Sequence, residues 1–328
     1  MNTMKRLLVT AAFIAGLTTQ TFAQDLEKLT VRTDWLPWGI HAGLHLATEK
    51  GWFKEAGLDV EVSDGKGSNL TMQQVAAGEV DVGQVQLSSM AVARGSGMPV
   101  ISIAGLARRG DLCAIVPTSS GMRTVKDLEG KKVAYTATSS WGALADLFLS
   151  SGGTDRSKID LVNVDATSLM SGYLAGTVDA VLTTYPFAKP TADLQIPSSG
   201  ILLADAGFNL PSYGLIASVS TVESKKEALA KFVPVVVRAW EYIYDGNIDE
   251  AVAAIVSQRP AEKLDTNIIR AQIVEFEPFF TTEATKDARF GWQSEEEWQA
   301  AIDILASVNA IPAGGEANDF FTNEFVEK

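Results

Sequence analysis

Cysteine is nearly missing from this 328-residue chain. The single Cys113 cannot close an internal disulfide, so the fold must rest on its core. Histidine is scarce too, with His41 and His45 the whole supply. Two histidines four apart can bind a metal, but no Glu follows the first and no acidic cluster adjoins them, so no metal is expected. No hydrophobic run is long enough to span a bilayer. Basic residues number 27 against 40 acidic ones, a formal net charge of −13 that argues against nucleic acid and anionic membrane as partners. A nucleophile elbow, a phosphate loop and carboxylate pairs in motif-like surroundings are all missing, so neither catalysis nor a cofactor is expected.

What is present begins with a secretory signal over residues 1–23. Lys5 and Arg6 form its positive region, Leu7 to Leu17 its short apolar core, and Thr21-Phe22-Ala23 its small-x-small cleavage site. Its removal leaves 25 basic and 40 acidic residues, a charge of −15. The mature chain is expected to be a free monomer in an exported compartment, with enough residues for two lobes.

The stretch Asp34–Val62 organises the rest. A strand (Leu29–Thr33) leads into a turn rich in large apolar groups, Trp35, Leu36, Pro37, Trp38 and Ile40. His41, Leu44, His45 and Thr48 then recur at helical spacing, and Leu58–Val62 alternates as a half-exposed strand. Ligands of open α/β sheets bind beyond the carboxyl ends of strands, where helix N-termini offer free N–H groups. Two indoles there suit a flat or cationic molecule; the alternative is core capping. Asp34 is the carboxylate to watch, because it can accept from an amino group of a heterocycle.

Two βαβ cycles follow. Ala77-Gly78-Glu79-Val80-Asp81-Val82 is echoed by Ala175-Gly176-Thr177-Val178-Asp179-Ala180 about 100 residues later, too far apart for a solenoid repeat. Strands are predicted at Val80–Val85, Val100–Leu106, Leu112–Val116, Lys132–Ala137, Ile159–Val164 and Val178–Leu182. Tyr213–Val219 is predicted to return beside Leu112–Val116. Helices are expected at Ala228–Tyr244, Ile248–Ser257, Thr266–Phe276 and Ser294–Ser307, the last opened by a capping box from Ser294 to Glu297. Lobe 1 is drawn as residues 24–112 plus the returning 213–328, and lobe 2 as 113–212. Trp240, Trp292 and Trp298 read as packing residues, and Arg108-Arg109 as surface cations within reach of an acidic ligand group.

Asp34-Trp35-Leu36-Pro37 with His41-Ala42-Gly43, the run from Ala47 to Gly51, Phe53 to Val60, and the two echoed Gly-x-Val-Asp segments together resemble the periplasmic solute-binding proteins of ABC importers. The closest likeness is to the nitrate/sulfonate/taurine group and its thiamine-pyrimidine-precursor relatives, over about residues 28–245. That resemblance implies a type II two-lobed α/β fold with two crossing segments, a small-molecule ligand in the cleft and a membrane permease as partner. It puts ligand contacts at Trp35, Trp38 and His41; at Ser68 and Asn69; at Gln86, Ser88 and Ser89; at Thr138, Ser139, Ser140 and Trp141; and at Tyr185 and Phe187, to which the reading of the residues themselves adds Asp34. The cysteine-rich iron motif of the related pyrimidine synthases has no counterpart in a chain with one cysteine. The aromatic residues tilt the expected ligand towards a pyrimidine-like heterocycle. An alkanesulfonate or taurine-like anion is the alternative, and an exported enzyme acting on a small heterocycle is the alternative of another class.

Overall fold

A computed structural model describes residues 26–327; the predicted secretory signal lies outside them. In chain order the first cycle comprises β1 (Glu27–Thr33), α1 (Ala42–Glu49), α2 (Trp52–Glu55), β2 (Leu58–Ser63), α3 (Ser68–Ala76), β3 (Val82–Gln86), α4 (Leu87–Gly95) and β4 (Val100–Gly105). The second comprises β5 (Leu112–Pro117), β6 (Lys132–Tyr135), α5 (Trp141–Leu149), β7 (Asp160–Asn163), α6 (Ala166–Leu174), β8 (Ala180–Thr184), α7 (Tyr185–Asp193) and β9 (Ser198–Leu202). The chain then returns through β10 (Tyr213–Ser218) into α8 (Val219–Ser224), α9 (Lys226–Tyr244), α10 (Ile248–Gln258), α11 (Thr266–Phe276) and α12 (Glu295–Ser307).

The strands form two five-stranded sheets, β2-β1-β3-β10-β4 and β7-β6-β8-β5-β9. Both have the same plan: three parallel strands, then an antiparallel strand that has crossed from the other half of the chain. This corrects the expected pairing of Tyr213–Val219. β10 lies between β3 and β4 in the first sheet, not beside Leu112–Val116. The place next to β8 is taken by β5, whose other edge carries β9. The fold is the two-lobed mixed α/β architecture anticipated from the sequence.

The echoed segments explain why both sheets form alike. Each begins with a helix-ending glycine in the left-handed region, Gly78 at φ +73° and Gly176 at φ +67°. Three residues later an aspartate reaches a backbone N–H of the neighbouring parallel strand. Asp81 accepts from Thr30 N–H at 2.8 Å, and Asp179 from Lys132 N–H at 2.8 Å. The carboxylate satisfies a donor the parallel ladder leaves open and so fixes the register. Along β1 the alternation holds, with Leu29, Val31 and Thr33 buried.

The C-terminal helices pack on the first sheet's side. Phe53 stacks on Phe232 of α9 at 5.3 Å, and Trp240 is fully buried. At the start of α12, Ser294 Oγ accepts from Glu297 N–H at 3.3 Å. The reciprocal half of the expected box is replaced, because the Glu297 side chain engages Thr282. Trp298 stacks on Phe321 at 5.8 Å, a packing role as expected.

Candidate functional site

Between the two sheets lies a cleft with about 440 Å3 of empty space, counting the part open to solvent. Asp34, Trp35, Trp38 and Tyr213 line it from one side, and Ser139, Ser140, Trp141, Thr183, Thr184 and Phe187 from the other. Thr136, Leu112 and Leu169 complete the wall. The sequence places these residues where strands end: Asp34 follows β1, Thr136 follows β6, and Thr183-Thr184 close β8.

Asp34 is the polar centre of this wall, 4% exposed. Its Oδ1 lies 3.1 Å from His41 Nε2, and its Oδ2 accepts from Tyr213 Oη at 2.7 Å and from Ser68 Oγ at 3.3 Å. Burial, with the Asp34 carboxylate beside it, pushes the Tyr213 phenol well above its ordinary range, so it stays a donor. Of the cleft-lining side chains, all among the described residues, only Asp34 carries a formal charge.

Trp38 is the aromatic centre. Its ring meets Phe187 edge-on at 5.2 Å, Tyr213 at 5.5 Å, Phe276 at 5.6 Å and His41 at 5.9 Å. Its buried indole N–H has no acceptor among the described residues. Trp141 faces it across the cleft, tied by its own indole N–H to Thr183 O at 3.1 Å.

The structure thus gathers Asp34, Trp35, Trp38, Ser139, Ser140, Trp141 and Phe187 from the predicted set around one hollow. The others are placed differently. His41 is fully buried behind Asp34 rather than lining the cleft, because the chain makes a short 3-10 turn (Gly39–His41) before α1 begins. Ser68 supports Asp34 and accepts from Gln86 N–H at 3.2 Å. Asn69 Nδ2 donates across the lobes to Ser139 O at 3.1 Å. Gln86 Nε2 donates to Asp111 at 2.7 Å, behind the cleft. Ser88 is buried outside the lining, its Oγ without a partner among the described residues. Thr138 faces an outer groove that shares Trp35 and Thr136 with the cleft. Tyr185 turns away, against Phe279 at 6.3 Å and over Gly200.

Arg108, read from the sequence as a surface cation, is instead buried, donating to three backbone carbonyls. His45 is buried, its Nδ1 2.8 Å from Gln258 Oε1. Among the described residues no group of three metal-ligating side chains occurs, and no helix is long and apolar enough to cross a membrane.

Several contacts hold the two sheets together over the cleft. Gln272 of α11 accepts from Gly39 N–H at 3.0 Å and donates to Phe187 O at 3.0 Å, joining both walls. Gly67, at φ +133°, brings its backbone so close to Thr138 O that a Cβ there would stand 2.1 Å away. The arrangement is a closed one.

Residues 38–247 match the family described as NMT1/THI5 like. The chain belongs to that family. A protein of Haemophilus influenzae named for thiamine biosynthesis is 28% identical over 264 residues, covering 79% of this chain and 82% of its own. The formylaminopyrimidine-binding protein of Halalkalibacterium halodurans is 25% identical over 325 residues, 97% of each chain. In three dimensions the alkanesulfonate-binding protein of Xanthomonas axonopodis pv. citri, solved with MOPS bound, superposes with a TM-score of 0.70 at 14% identity, covering 92% of this chain and 99% of that one. The family assignment and the fold read from the sequence are borne out, and solute capture for a transporter is the role consistent with these relatives.

Proposed function

We propose that this protein is the periplasmic solute-binding component of an ABC importer and that its ligand is a small heteroaromatic molecule presenting an amino or amidine-like edge. The observation that carries this reading is the Asp34 carboxylate, buried in the cleft wall and already oriented by three donors. Such a group accepts strongly from a ligand N–H, and would meet a sulfonate or nitrate as an uncompensated like charge. Among the described residues, no lysine, arginine or histidine stands in the lining to offset it. The Trp38 indole N–H, buried and without an acceptor among the described residues, supplies the complementary donor to a ring nitrogen. Trp35, Trp141 and Phe187 supply ring faces.

Ser139 and Ser140 at the start of α5 are the feature that favours the sulfonate alternative. Calorimetric titration with an aminopyrimidine, an alkanesulfonate and nitrate decides between them. Binding of the aminopyrimidine and not of the anions is expected; preference for either anion overturns the assignment. Capture followed by delivery to a permease implies no turnover. The exported-enzyme alternative therefore predicts product in the same titration mixtures, and mass spectrometry is expected to recover the probe unchanged.

A further inference from the structure

A larger hollow lies just outside the cleft, with about 940 Å3 of empty space, counting the part open to solvent. At roughly 30 Å3 for each water-sized group, it has room for a chain of many atoms. The hollow and the cleft share Trp35 and Thr136 as lining residues, so these side chains stand at the border between them. Both halves of the molecule build its walls. Leu36, after β1, and Leu70, on α3, form one side; Thr138 after β6, Asn163 at the end of β7, and Val164 and Thr167 around the start of α6 form the other. The groove therefore has this shape only while the lobes are together, and the close approach of Gly67 to Thr138 O belongs to that state.

Trp35 is placed unlike the other indoles. Trp38, Trp52, Trp141, Trp240 and Trp298 each have an aromatic ring against them. Among the described residues no ring or cation packs on Trp35, although it is only 9% exposed. An indole that borders two hollows and has no ring partner keeps its faces and edge free for a ligand. Thr136 is held more firmly, its Oγ1 donating to Val164 O at 3.1 Å. Beyond this border the groove is apolar at Leu36, Leu70 and Val164, with polar groups between. Asn163 Oδ1 accepts from Ala137 N–H at 2.9 Å, which leaves the Asn163 amide N–H groups and the Thr138 hydroxyl without partners among the described residues. Lys66 and Asp165 also line the groove, one of each sign; both are exposed, and neither is in an ion pair among the described residues. Solvent screens them, so the groove selects neither an anion nor a cation.

We propose that the groove is the outer half of the binding site, taking an uncharged, hydroxyl-bearing aliphatic substituent of the ligand whose ring occupies the cleft. The neck between the two parts passes the edge of the Trp35 indole. This rests on the heteroaromatic reading of the cleft and adds to it: a bare ring would fill the cleft and leave the groove to water.

Calorimetry on the full chain tests this with a bare aminopyrimidine and with isomers of the same ring that carry a hydroxybutyl chain at each free ring carbon. At least one isomer is expected to bind about tenfold tighter than the bare ring, because several methylene groups leave water. The ratio of the two affinities is the readout in the variants. Thr167→Trp fills the groove from an exposed position on the first turn of α6 and is expected to bring that ratio to about one. Leu36→Ser, at an exposed turn, strips part of the apolar cover and is expected to cut the ratio roughly threefold; it carries the test if the tryptophan variant does not fold. Asp34→Asn is expected to weaken both probes and leave their ratio standing. A bare ring that binds while no chain adds to it overturns the groove and leaves the reading of the cleft intact. So does a ratio unchanged in Thr167→Trp, because the chain then lies elsewhere. Failure of every probe to bind overturns both readings together.

Discussion

At the residue scale the cleft depends on two side chains with different kinds of support. Asp34 is held by hydrogen bonds, and Trp38 by ring packing. Replacing the carboxylate by an amide in Asp34→Asn keeps the shape and removes the charge-assisted acceptor. Affinity for an aminopyrimidine probe is expected to fall roughly 10- to 100-fold by calorimetry, as charged hydrogen bonds are worth about 1.5–3 kcal/mol. Tyr213→Phe removes only one of the three donors that orient it and should cost less. An Asp34→Asn affinity equal to the parent's leaves the cleft without its anchor. Trp38 touches Phe187, Tyr213, Phe276 and His41, so Trp38→Ala mixes lost ligand contact with a core cavity. It is expected to lower unfolding stability by about 3–5 kcal/mol in urea melts. Trp38→Phe keeps a ring while removing the indole N–H, and is the cleaner probe of binding.

At the element scale the closed arrangement rests on a few backbone approaches and on α11. Gly67→Ala would put a Cβ 2.1 Å from Thr138 O and at a φ that side chains rarely adopt. The lobes then have to part. Gln272→Ala removes the bridge between Gly39 and Phe187 while leaving the fold of α11 intact. Both variants are expected to shift the population towards an open form, visible as a larger radius of gyration by small-angle scattering. Apparent affinity should weaken in proportion to the closed fraction lost. Scattering curves superimposable on the parent's would show that these contacts do not hold closure. Such bridges could not be read in the sequence, because Gly39 and Gln272 are 233 residues apart. The same holds for Tyr213 on Asp34. Local pattern did locate β1, β2, β5 and the α9 to α12 series to within a few residues. It missed β9, where Ser198-Ser199-Gly200 lacks the branched residues that mark a strand. Thr136, Thr183 and Thr184 were findable: each sits at the carboxyl end of a parallel strand, where the same rule had already picked out Trp35. His41 could not be placed behind Asp34, because helical spacing carries on unbroken through the 3-10 turn.

At the scale of the whole molecule, two buried titratable groups pull stability in opposite directions with pH. His45 is buried and neutral; desolvation, with His41 and Arg259 adding, lowers it to about 4 despite Gln258 and Asp64. The unfolded chain binds a proton there near 6.5, so this contribution is complete above that pH and is lost as pH falls towards 4. Its full size is roughly 3 kcal/mol. Asp111 lies fully buried where the chain crosses between sheets, facing Gln86, Ser212, Asp34, Tyr213 and Cys113. Desolvation, reinforced by Asp34, raises it to about 7. The folded chain therefore holds a proton that the unfolded chain has released, and stability declines as pH rises from about 4 to 7, by up to roughly 4 kcal/mol. Between pH 4.5 and 6.5 the two slopes oppose each other, and the parent's urea midpoint is expected to change little. His45→Gln uncovers the Asp111 slope, so its midpoint should fall as pH rises. Asp111→Asn uncovers the other, so its midpoint should rise with pH, and at pH 7.5 it should exceed the parent's because the desolvated carboxylate is gone. Variants whose slopes share one sign would mean that these groups do not titrate as their burial requires.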